Sequence, residues 1–316
     1  MRYRFTFYSA VTILLLAIGW ALDPLETRHF FQDWVLWHEP ILGGVICGVL
    51  AAVLGMYMLL NRIVFISLAV SQGAGLGIFA AFFIAGLFGA SLAGSPLALL
   101  SGFLFASLAA LLFTSARRTA ATTDESLIGL IYCAASGLIV FIGDRISEGR
   151  HDIENLLFGS AVAVTRSDLI LLGAIAALAV SLHSLFRREF LYVSADPGFM
   201  AIRGFRTAFW KILLYFTLTL GITVSMRTLG SLPVFALMVV PPWIALRNAR
   251  GLKDSFATAV LVGAVLPPLG YYLSFLYSFP TGASLIVVAL IYVLAAIFEK
   301  KVFIRRTGGS PAPGPG

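Results

Sequence analysis

Few side chains in this 316-residue chain are equipped for chemistry, and their placement excludes most of it. A nucleotide-hydrolysing loop must end in Gly-Lys-Ser/Thr so that backbone N–H groups cradle phosphates, and no Gly-Lys pair occurs. An intramembrane hydrolase needs paired carboxylates, or a nucleophile beside a base, at membrane depth. No Asp, Glu, Lys or Arg lies deep in any apolar run. His183 stands near the end of its run and reads as an interfacial residue rather than a base. His29 and His38 fall among Asp23, Glu26, Asp33 and Glu39, residue types that suit a divalent metal, but their irregular spacing reads as a solvated loop. Cys47 and Cys133 both sit inside apolar runs, so burial is expected and a disulfide framework is not. Asp196-Pro197 has the form of a helix N-cap followed by a first-turn proline. A short amphipathic helix carrying Phe199, Met200 and Ile202 is expected after it, as either a grip for a partner protein or an interfacial linker.

The elements that must carry these residues are membrane helices. The chain is 59% hydrophobic and 12% charged, with a mean hydropathy of +0.96, against roughly a quarter charged in soluble domains. Crossing a hydrocarbon core takes about 20 mostly apolar residues, and such runs recur along the whole chain. Barrel strands would instead show short polar/apolar alternation. The expected fold is an all-α polytopic bundle, with runs at 6–22, 40–60, 64–89, 97–115, 126–142, 168–186, 208–227, 231–246, 255–276 and 284–298. The first follows Arg2 and Arg4 but lacks a small-residue cleavage site, so it reads as an anchoring helix rather than a signal peptide.

The net charge of +7 is scattered through short connections and forms no basic domain, which argues against a nucleic-acid partner. It fits topology. With both termini cytoplasmic, seventeen of the 22 Lys and Arg fall on the cytoplasmic side and five on the other. Two connections are long. Residues 143–167 contain a semi-apolar stretch, Asn155 to Val164, expected as an interfacial or re-entrant segment. Residues 187–208 carry the Asp196-Pro197 element. Residues 308–316 (GGSPAPGPG) are expected to be a disordered tail.

Several stretches together resemble the transmembrane permeases of the ABC importers for zinc, manganese and iron. They are PILGGVICGVLAAVLGMYMLLNRIVFISLAVSQGAGLGI (Pro40 to Ile78), ESLIGLIYCAASGLIV (Glu125 to Val140), LLFGSAVAVTRSDL (Leu156 to Leu169), ADPGFMAIRGF (Ala195 to Phe205), LGSLPVFALMVVPPWIAL (Leu229 to Leu246) and YYLSFLYSFPTGASLIVV (Tyr271 to Val288). Each fragment is weakly specific, whereas their order over most of the chain is far more so. The resemblance implies a body at 40–299, an additional helix and outer loop at 1–39, and a cytoplasmic basic tail at 300–316.

It also implies a multi-pass subunit of the bacterial plasma membrane that binds no cofactor itself. ATP and Mg belong to a cytoplasmic ATPase. The other partners are an extracytoplasmic metal-binding protein, a second permease copy or paralogue, and membrane lipid. Asp196, Phe199, Met200, Ala201 and Gly204 match the segment that couples to the ATPase. One departure stands out. Where the family carries Asp and, four residues on, His in its second helix, this chain has Leu68 and Gln72, beside Ser67 and Ser71. Ser278 likewise replaces an acid that is common near the last outer turn. A neutral lining binds a dehydrated dication poorly. Three readings stay open: a weak-binding pathway through Ser67, Ser71 and Gln72, another substrate such as a metal chelate or other small nutrient, or a degenerate subunit paired with a second permease. Outside transport, the alternatives are a membrane scaffold or an intramembrane enzyme.

Overall fold

This computed structural model describes residues 2–88, 96–115, 124–145, 164–248 and 251–307. The described residues form thirteen α-helices and no strand: α1 (Arg2–Leu22), α2 (Pro24–Gln32), α3 (Trp34–Leu60), α4 (Ile66–Leu87), α5 (Pro96–Ser115), α6 (Asp124–Gly143), α7 (Arg166–Leu185), α8 (Arg187–Ala195), α9 (Pro197–Ile202), α10 (Thr207–Leu229), α11 (Ser231–Asn248), α12 (Leu252–Tyr277) and α13 (Thr281–Thr307). Nine of them are long and apolar enough to cross a membrane. The tenth expected span is α1, which meets α2 at a bend of 114°. Helices satisfy mid-span backbone groups internally, which hydrocarbon requires, except where a proline interrupts the ladder.

Centrally placed, α3 packs against α7, α8, α10, α11 and α12. Its close approaches depend on glycine facing carbonyls that proline has released. Pro267 has no N–H to offer the Gly263 carbonyl one turn earlier, and Gly48 of α3 lies directly against that oxygen. Pro242 likewise releases the Met238 carbonyl, which Gly55 abuts. A Cβ at either glycine would overlap the carbonyl, so only glycine permits these crossings.

On one flank α4 packs against α5 and α6. On another, α1 and α2 lie against α12 and are held through hydroxyl groups. Tyr8 Oη donates to Glu299 Oε2 (2.9 Å), Thr12 and Tyr292 share a hydrogen bond of 2.6 Å, and Thr27 and Tyr272 share one of 2.9 Å. Asn248 Nδ2 joins the first cluster, donating to Glu299 Oε2 at 2.9 Å.

Residues 23–39, expected as a solvated loop, are helical. Asp23 Oδ1 accepts from Glu26 N (3.1 Å) and Pro24 occupies the first turn, so α2 is capped. After it, α3 starts at Trp34, well before the expected run. Cys47 is buried as expected, but Cys133 is exposed on α6. His183, expected at an interface, is buried. The helix α13 runs on to Thr307, past the expected end of its span. The Asn155 to Val164 stretch, apart from Val164, and the 308–316 tail lie outside the described residues.

Candidate functional site

The polar stretch at the start of α4 follows a tight reversal. Arg62 adopts a left-handed conformation (φ 59°), and Arg62 N donates to Leu59 O at 3.0 Å. The chain then re-enters as α4 with Ser67 and Ser71 one turn apart, both buried. Each hydroxyl donates back to its own helix, Ser67 to Val64 O (3.2 Å) and Ser71 to Leu68 O (2.9 Å), leaving oxygen lone pairs as the remaining chemistry. Gln72 is only 3% exposed. Leu68 is half-buried on the same helix. The structure therefore brings Ser67, Ser71 and Gln72 onto two successive buried turns with no carboxylate or imidazole. No group of three or more His, Cys, Asp or Glu side chains among the described residues could hold a metal. Ser278 lies far along the chain, as the left-handed cap that ends α12 (φ 51°).

A second candidate is the elbow between α7 and α10. Asp196 Oδ1 accepts from Phe199 N at 2.9 Å and Pro197 occupies the first turn, as the sequence pattern requires. Met200 is buried and pins α9 to the bundle. Phe199, Ala201 and Ile202 are exposed, the last at 87%. Gly204 takes φ 77° and, with Arg203 N bonded to Phe199 O (3.2 Å), turns the chain back toward α10. Arg203 lies over the Phe199 ring (5.7 Å), and Tyr192 of α8 meets the same ring edge-on (5.6 Å). The product is a small, rigid, apolar knob flanked by Arg203 and Arg206.

Beneath the elbow lies a residue whose role the sequence did not reveal. His183 of α7 is 1% exposed. Its Nε2 is 2.9 Å from Thr217 Oγ1 on α10, and its ring stacks on Phe190 of α8 at 4.0 Å. Tyr57 of α3 tilts against both rings (4.7 and 5.9 Å). At the opposite end of α7, Thr165 and Asp168 form a reciprocal capping box, Arg166 pairs with Glu39 (3.1 Å) and Asp168 pairs with Arg227 (3.4 Å). Elsewhere, a cleft of about 480 Å³ lies between α5 and α10, lined by Ser107, Leu111, Thr114, Lys211 and Tyr215. Its walls do not include the α4 polar stretch.

The sequence model of the ABC 3 transport family matches residues 35–300. The chain belongs to this family. As an ABC 3 protein it is a multi-pass transport subunit of the membrane, and ATP hydrolysis falls to a separate ATPase. The chain is 26% identical over 285 residues to the manganese transport system membrane protein MntC of Listeria monocytogenes, covering 89% of this chain and 94% of that one. It is also 26% identical over 264 residues to the chelated iron transport system membrane protein YfeD of Yersinia pestis, covering 82% of this chain and 84% of the relative. Among solved structures, PsaBC from Streptococcus pneumoniae in complex with Fab superposes with a TM-score of 0.75. There the sequence identity is 21%, and the match covers 89% of this chain and 99% of that chain.

Proposed function

We propose that this chain is the permease of an ABC importer for a divalent transition metal such as manganese or iron. Family membership is the observation that carries this reading, and the named relatives support the substrate class. The Asp196 to Gly204 elbow is the surface gripped by the cytoplasmic ATPase, because its exposed Phe199 and Ile202 offer an apolar anchor on a rigid base. An extracytoplasmic binding protein delivers substrate, and a second permease copy or paralogue completes the complex. Both termini are cytoplasmic, in line with the charge bias. Residues 40–299 form the permease body, in agreement with a family match that starts at 35. Residues 1–39 are an addition to that body and 300–316 its cytoplasmic tail.

The metal passes Ser67, Ser71 and Gln72 through neutral oxygens alone, so it is held weakly and keeps most of its other ligands. A second reading, a metal chelate as cargo, is favoured by the same neutral lining. The double variant Leu68→Asp/Gln72→His separates them when zinc, manganese and iron uptake are measured. A pathway at α4 predicts altered selectivity or tighter, slower transport of at least one free metal. Unchanged uptake of all three would remove these residues from the route.

A further inference from the structure

We infer that His183 is a positioning residue that passes movement of the elbow to the transmembrane helices, through a stack on Phe190 and a hydrogen bond to Thr217. The inference rests on reading Asp196 to Gly204 as the ATPase-docking element. The contacts run without a gap from the exposed knob inward. Phe199 on α9 meets Tyr192 on α8 (5.6 Å), and α8 also carries Phe190, which is fully buried. Phe190 lies face to face with His183 (4.0 Å, 19° between planes) and edge-on to Trp210 of α10 (5.6 Å). His183 then reaches α10 through Thr217 and α3 through Tyr57.

The chemistry of this joint fixes the direction of its hydrogen bond. Thr217 has one hydroxyl proton, which it donates to Leu214 O at 2.9 Å. The His183 Nε2–H must then be the donor to Thr217 Oγ1, and Nδ1 is left as a bare acceptor with no partner among the described residues. A phenylalanine would fill this aromatic pocket without leaving a polar atom unpaired. The imidazole is there because one side chain has to stack on one helix and bond to another. In the low-dielectric interior that bond has no water to compete with it, so α7 and α10 move together at this point. Since α3 carries the Gly48 and Gly55 crossings, a shift entering at Tyr57 is delivered to α11 and α12 as well.

The test uses the full permease reconstituted with its ATPase and its extracytoplasmic binding protein, reading manganese uptake per ATP hydrolysed beside co-purification of permease and ATPase. His183→Ala and Phe190→Ala should each keep the ATPase attached and lower the uptake-to-hydrolysis ratio about tenfold, within the usual range of coupling between sites. The double variant should fall no further than either single one, because both remove the same link. His183→Phe, which keeps the stack and loses the bond, should reproduce the loss, as should the isosteric Thr217→Val. Thr217→Val and His183→Phe also serve if the alanine variants fail to accumulate. A purely structural role would lower yield and thermal stability while sparing the ratio. An unchanged ratio, or losses from His183→Ala and Phe190→Ala that multiply, overturns the inference. Ile202→Asp should detach the ATPase. Retained attachment would overturn the docking reading and the relay with it.

Discussion

Gly48→Ala offers a test of how the bundle is held together. The added methyl would overlap the Gly263 carbonyl, and Pro267 lies within 3.3 Å on the same side. Neither obstacle is the free end of a flexible side chain, so no rotamer change relieves the clash. Ordinary carbon–oxygen contact would require α3 and α12 to separate locally by roughly 1.5 Å, forfeiting dispersion contacts along the crossing. Overpacking of this kind costs about 1–3 kcal/mol where neighbours can yield, and this site belongs at the upper end. For a chain of this size that corresponds to a fall in melting temperature of about 3–5 °C, measurable on the purified permease in detergent. Gly129→Ala is the internal control, since nothing lies within 4 Å of the added carbon. There, alanine should be neutral or stabilise by up to about 1 kcal/mol through helix propensity. Equal melting temperatures for Gly48→Ala and Gly129→Ala would refute the claim that glycine is needed at the carbonyl.

Asp196→Ala removes the cap of α9, worth about 1 kcal/mol, so amide exchange at Phe199 should accelerate about fivefold, with weaker retention of the ATPase. Unaltered exchange would show that the short helix holds without its cap. Thr165→Ala should lower the melting temperature by about 1–2 °C through loss of the capping box on α7. Asp168→Asn, which also breaks the ion pair with Arg227, should cost more than Thr165→Ala, and the reverse order would contradict the pairing.

The bundle was legible because a membrane span is a matter of length and apolarity, both local properties. The elbow was legible for a similar reason, since Asp196-Pro197 announces a helix start in two residues. Asp23-Pro24 carries the same signal, yet the charges and histidines around it suggested a solvated loop, and the backbone followed the cap. His183 was not legible. Its burial depends on Phe190 seven residues away, Thr217 on another helix and Tyr57 far earlier in the chain, and no periodic pattern joins these positions. Nor does any local feature show which glycine of α3 will meet which proline-released carbonyl. Cys133 misled for a related reason. A helix of uniformly apolar residues does not disclose which face packs on α4 and which is left uncovered.

The hydroxyl contacts of α1 and α2 tie these two helices to the rest of the bundle. The family match begins at residue 35, after α1 and α2, yet the groups that receive them belong to the matched body: Tyr272, Tyr292, Asn248 and Glu299. Each is a polar group that accepts or shares a hydrogen bond with α1 or α2. Removing residues 1–34 would therefore strip hydrogen bonds from a tyrosine pair, an amide and a carboxylate together, in a medium that offers few replacements. The first helix works as a dedicated sheath over polar wiring, and the wiring and the sheath have to be kept or lost as a set.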